Sequence, residues 1–182
     1  MDTPQAIFDS LLPIGHGDRI AIACLEQRRG GGGADMQPIM TVGEIEDFLD
    51  REFAQIHIGG RVLSITDLRA GGLTMRFDPQ ERHLRPGATI SGPSMVMVAD
   101  VAAYAAILAH LGPVALAVTT SLNINFLRKP QMRPMFCDCR LLKLGKRLAV
   151  VDAILRQDSL QDAVAQATVT YSIPPAERQY LG

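Results

Sequence analysis

Residues Pro93 to Leu111 distribute Met95, Val96, Met97, Val98, Val101, Tyr104, Ile107 and Leu108 around the whole circumference of one helix. A helix that is apolar on every side has no face to give to water, so the rest of the domain must wrap it. Gly112-Pro113 ends it in the usual way. The one Asp, Glu, Lys or Arg in this stretch is Asp100. That interruption and a run short of roughly 20 apolar residues favour a core helix over a membrane span, and no membrane partner is expected.

The flanking segments supply the wrapping. Thr41 precedes Glu44 and then Ile45, Phe48, Leu49, Phe53 and Ile56, a capping box leading into a second, amphipathic helix. From Arg61 the period changes to two: Leu63 and Ile65, then Leu73, Met75 and Phe77 after the Ala70-Gly71-Gly72 turn, read as paired strands. Residues 78–89 read as irregular. Downstream, Val114 to Phe126, Met135 to Leu144, Arg147 to Leu155 and Asp162 to Ser172 read as four strands, with turns at Gly145-Lys146 and Asp158-Ser159. In the last, Ala163, Ala165, Ala167, Val169 and Tyr171 share one face. The connections are too short for helical crossovers, so the sheet is antiparallel and the class is α+β, one sheet packed on one long helix.

The chain has 182 residues, room for one domain, and nothing requires a second. Four glycines at 30–33 resist ordering, so residues 1–35 are expected to be a flexible extension ahead of a working domain at 36–182. The glycine run lacks the Gly-Lys-Ser/Thr ending of a phosphate loop. With 18 Lys and Arg against 19 Asp and Glu there is no footprint for nucleic acid. Cys24, Cys137 and Cys139 have neither a disulfide nor a zinc spacing, and the four histidines offer none, so no metal is expected. The first 20 residues have no basic leader or continuous apolar core, and a cytoplasmic location is expected.

Chemistry concentrates on the central helix. A carboxylate among apolar neighbours is costly unless partners compensate, and Asp100 either pairs structurally or performs a function. Ahead of it, Thr89-Ile90-Ser91-Gly92-Pro93 brings a glycine, which permits close approach of a ligand, to the start of the helix, where Pro is well tolerated. Helix N-termini carry free N–H groups and partial positive charge, suited to an oxyanion developing from a carbonyl. Gly92 and Asp100 are eight residues apart, about 12 Å along one helix. They cannot serve one carbonyl carbon from the same chain, so if they cooperate Gly92 comes from one subunit and Asp100 from another, and an isologous dimer with two shared sites is the simplest solution.

These residues, with Val118-Thr119-Thr120-Ser121-Leu122-Asn123-Ile124-Asn125-Phe126-Leu127-Arg128, resemble the PaaI-like branch of the hotdog thioesterases from about Arg61 to Ser172. The resemblance implies a hotdog fold, an antiparallel sheet of five to six strands wrapped around one long central helix. It also implies a homodimer or dimer of dimers, and hydrolysis of acyl thioesters of coenzyme A or related carriers, with no further cofactor. By the same resemblance the Gly92 amide polarises the carbonyl, Asp100 is general base or nucleophile, and Thr119 positions water. Ser91 stands where the branch usually has His, and Pro93 where it has a second Gly.

Beside these, Ser91 and Pro93 flank the donor, and His83 lies in the segment where the family lines its acyl pocket. Strand alternation puts Thr119, Ser121, Asn123 and Asn125 on one face, of which Thr119 and Asn123 are assigned to the site. Arg128 and Lys129 are candidates for the coenzyme phosphates. The competing reading is a non-catalytic acyl-CoA binding or sensing protein that uses the same channel.

Overall fold

The computed structural model describes residues 36–158 and 162–175. The expected extension, residues 1–35, and part of the turn after Asp158 lie outside the described residues. In chain order the elements are α1 (Val42–Glu52), β1 (Leu63–Arg69), β2 (Gly72–Phe77), β3 (Leu84–Arg85), β4 (Thr89–Ile90), α2 (Gly92–Leu111), β5 (Val118–Phe126), β6 (Met135–Leu144), β7 (Leu148–Arg156) and β8 (Ala163–Ser172).

Helix α2 is the centre of the core, with Val98, Ala99, Ala102, Ala103, Ala105 and Ala106 fully inaccessible to solvent. It is long and apolar enough to cross a membrane, but its most apolar stretch is 83% buried inside this domain. Six strands cover it in the order β1-β2-β6-β7-β8-β5, every neighbouring pair antiparallel. The inward rows of β7 and β8 are small, with Ala149 and Ala153 beside Ala165 and Ala167. Short side chains on both surfaces let helix and sheet pack closely, and larger Met75, Phe77, Met135 and Leu155 fill the flanks. This is the hotdog architecture.

Helix α1 starts on the expected capping box: the Glu44 N–H donates to Thr41 Oγ1 and the Thr41 N–H to Glu44 Oε2. It buries Ile45, Phe48 and Leu49 and stops at Glu52 rather than running on to Ile56. Phe53 leaves helical geometry at φ −135°, and its ring lies edge-on to Tyr104 at 6.5 Å. The supposedly irregular segment holds a short helical turn, Glu81–His83, and the β3–β4 hairpin, which delivers the chain to the start of α2.

The other end of α2 is tied to the segment that precedes α1. The N–H groups of Ile39 and Met40 both donate to the Ala109 carbonyl. His110 donates from Nδ1 to the Ala106 carbonyl and accepts the Gly71 N–H at Nε2. Burial pushes its imidazole below the ordinary range, which keeps it in this neutral form. Carbonyls that would be orphaned at a buried helix end are thereby satisfied.

Candidate active site

The start of α2 is organised by Ser91, the N-cap, in extended geometry at φ −75° and ψ 154°. Its Oγ accepts the Ser94 N–H at 3.3 Å, and its own N–H donates to the His83 carbonyl at 2.9 Å. Ser94 Oγ donates to the same carbonyl at 3.1 Å. The Met95 N–H bonds the Ser91 carbonyl, and Pro93 has no N–H. Among the described residues, that leaves the Gly92 N–H as the one donor of this turn without an acceptor, at the positive end of a 20-residue helix. Space here is tight: a Cβ would stand 3.3 Å from Cζ of Phe126.

Asp100 lies two turns further on and is half-buried. The structure resolves how its charge is tolerated: Thr119 Oγ1 and Tyr171 Oη each donate to Oδ1 at 2.7 Å. No Lys or Arg among the described residues forms an ion pair with it. Tyr171 is stacked on Tyr104 with centroids 5.8 Å apart and planes at 5°. Tyr104 is anchored in turn by donating to the Val114 carbonyl at 3.2 Å. Burial first, and the adjacent Asp100 charge second, raise the Tyr171 phenol far above its ordinary range, so it acts as a proton-bearing donor and not a base. Burial likewise pushes Tyr104 up to about 12.

Thr119 reaches Asp100 because β5 does not alternate as its sequence suggests. Thr119 pairs with Tyr171, but Ser121 already pairs with Thr170, so Thr120 is an extra, bulged residue. The bulge puts Thr119 on the helix side with Leu122 and Ile124, and turns Ser121, Asn123 and Asn125 outward. Asn123 pairs with outward Thr168, and Asn125 donates to Gln166. The single polar face expected from strict alternation is therefore split. Asn123 is not brought to the Asp100 of its own chain.

His83, expected as a pocket-lining loop residue, is only 7% exposed. Its Nδ1 accepts the Gln80 N–H, its ring meets Phe77 edge-on at 5.0 Å, and its carbonyl holds the two serines of the α2 cap. It supports the helix start from behind. Burial, then the neighbouring Arg82, hold its imidazole below the usual range.

Beside Gly92 opens a cleft of about 530 Å³ lined by Ile90, Met95, Phe126, Leu127 and Pro130 together with Arg85, Arg128 and Lys129. Pro93 is exposed at its edge of the helix. Arg128 donates to the Ala163 carbonyl and Arg85 to Thr89 Oγ1, so both guanidinium stems are braced. The cleft lining contains three cations and no carboxylate, although the chain as a whole is near neutral.

Sequence reasoning missed Tyr171 as a site residue, along with Arg85 and Phe126. Tyr171 could have been noticed as the only polar-tipped side chain in the otherwise aliphatic inward row of β8.

With this geometry in view, the comparisons converge. The model of the thioesterase superfamily matches residues 87–164, which include Gly92, Asp100 and Thr119. A solved structure of a provisionally assigned thioesterase from Silicibacter sp. TM1040 is 48% identical. The alignment covers 78% of this chain and 96% of that one, with a TM-score of 0.69. A provisionally assigned thioesterase from Ralstonia eutropha JMP134, related to phenylacetic acid degradation, is 25% identical over 68% of this chain and 90% of that one, TM-score 0.59. A provisionally assigned esterase of Saccharolobus solfataricus is 29% identical over 136 residues, 75% of this chain and 87% of the relative. The chain belongs to the thioesterase superfamily, in its hotdog, PaaI-like form. Its activity class is thioester hydrolysis.

Proposed function

We propose that the protein hydrolyses acyl-CoA thioesters at composite sites of a homodimer, with the Gly92 amide from one subunit and Asp100 from its partner. The observation that carries this reading is that one chain presents both an unbonded helix N-terminal N–H, at Gly92, and a carboxylate, Asp100, whose Oδ1 accepts two neutral hydroxyl donors. Polarisation of the thioester carbonyl by Gly92 places negative charge where the helix start favours it. Asp100 then acts as general base on water or attacks the carbonyl carbon itself.

In the base route, a water oxygen forms a bond to the carbonyl carbon while its proton passes to Asp100. The resulting tetrahedral oxyanion collapses, the C–S bond breaks, and the proton returns to the departing sulfur, leaving acid and thiol.

Two features support the composite site. Gly92 and Asp100 are about 12 Å apart along α2, too far to share a carbonyl within one chain. Strand β5 is an edge of the sheet, with Val118, Phe126 and Leu127 each more than half exposed, as suits an edge covered by a second copy. For the coenzyme, Arg85, Arg128 and Lys129 offer phosphate-binding charge at the rim of the cleft.

Asp100→Asn is the direct test. The amide preserves shape and an oxygen acceptor for Thr119 and Tyr171 but cannot take a proton. Turnover of acyl-CoA is expected to fall by about 10²- to 10⁴-fold with unfolding temperature and oligomeric state retained. Full activity in the variant would overturn the assignment.

A further inference from the structure

We infer that Tyr171 is a positioning residue which, together with Thr119, immobilises Oδ1 of Asp100 and thereby makes Oδ2 the reacting oxygen. The inference rests on the reading of Asp100 as base or nucleophile and adds which of its atoms reacts and what holds it.

A free aspartate carboxylate rotates about its last torsion and exposes two equivalent oxygens. Here the equivalence is broken. Both donors, Thr119 Oγ1 and Tyr171 Oη, converge on Oδ1 at 2.7 Å. Tyr171 Oη also lies 3.1 Å from the Asp100 carbonyl, which ties the side chain to its own backbone. Among the described residues Oδ2 accepts no hydrogen bond. Two neutral donors stabilise the charge without neutralising it as an arginine would, and one oxygen keeps its lone pairs for the reaction.

The support behind Tyr171 is rigid. Its ring is stacked on Tyr104 of α2, which is fixed by Phe53 edge-on and by the Val114 carbonyl. Thr119 and Tyr171 are cross-strand partners on β5 and β8, so one register sets both donors at once. The bulge at Thr120 is what brings Thr119 to the helix side. The phenol keeps its proton and takes no part in proton transfer. In the base route the water proton moves to Oδ2 as the C–O bond forms, and it leaves Oδ2 for sulfur as the C–S bond breaks.

The test is Tyr171→Phe, which keeps the ring and its stack on Tyr104 and removes one hydrogen bond. The expected result is a kcat about ten- to a hundredfold lower with KM and unfolding temperature close to wild type. In an Asp100→Asn background the same change is expected to have no further effect on residual turnover, because Tyr171 acts only through the carboxylate. Wild-type kcat in Tyr171→Phe, or an equal loss in both backgrounds, would overturn the inference. A fully active Asp100→Asn would instead overturn the reading beneath it, so the two failures are distinguishable.

Discussion

Replacing Gly92 by Ala probes the carbonyl-polarising donor with a single methyl group. The position lies in the first turn of α2, where alanine is conformationally acceptable and gains up to about 1 kcal/mol of helix propensity over glycine. The new Cβ would stand 3.3 Å from Cζ of Phe126 and 3.7 and 3.8 Å from Cε2 and Cε1. Carbon atoms rest at about 3.5–4.0 Å, so either the ring or the helix start must yield by a few tenths of an ångström. Phe126 sits on the exposed edge strand and can absorb part of that, so the propensity gain offsets most of the crowding and stability should change by under about 1 kcal/mol. Catalysis is less tolerant. Losing an oxyanion donor outright costs about 10²- to 10³-fold in kcat, and a partial displacement is expected to cost about tenfold, or about 1.4 kcal/mol. The assay is steady-state release of coenzyme A thiol by wild type, Gly92→Ala, Phe126→Leu and the double variant, with unfolding temperatures alongside. Leucine lacks the outer ring atoms that meet the methyl group, so the double variant should regain most of the loss. Wild-type kcat in Gly92→Ala would refute the expected displacement of the donor, and a defect that Phe126→Leu does not relieve would refute its steric origin.

Two further predictions concern the cleft and the pH response. Charge reversal of Arg85 or Arg128 should raise KM for acyl-CoA several-fold with kcat little changed, and leave KM for an acyl-pantetheine lacking the nucleotide phosphates unaltered. Equal effects on both substrates would remove these cations from coenzyme binding. The imidazoles of His110 and His83 are held below their ordinary value of 6.5 by burial. The unfolded chain therefore binds protons that the folded one does not, and stability, fully present above about pH 6.5, falls as pH drops from there through the depressed folded values. Urea unfolding at pH 7.5 and 5 measures this, and a flat or rising profile toward acid would contradict it.

Much of this site could be read in the residues themselves. An all-round apolar helix carrying a single carboxylate, entered through Ser91-Gly92-Pro93, dictates a buried central helix, a polar anomaly within it and an open donor at its start. These are properties of residue type and local spacing, which the helical period converts directly into geometry. The same period sets the distance from Gly92 to Asp100 and with it the expectation of a shared site. Alternation likewise identified the inward row of β8, Tyr171 included.

What the tertiary structure alone decided is who meets Asp100. Strand alternation is a period-two rule, and one extra residue at Thr120 moves Thr119 onto the helix side while Asn123 keeps the outer one. Tyr171 reaches the carboxylate from 71 residues away because β8 and β5 are neighbours in the sheet, a relation no local pattern encodes. His83 turned from a pocket candidate into a buried brace because the β3–β4 hairpin folds its backbone under the helix cap. Arg85 joined Arg128 and Lys129 at the cleft for the same reason: segments distant in sequence converge there. Local spacing placed the donor and the carboxylate on one helix. The long-range pairing of β5 with β8 selected the oxygen of that carboxylate that is held and the one left free.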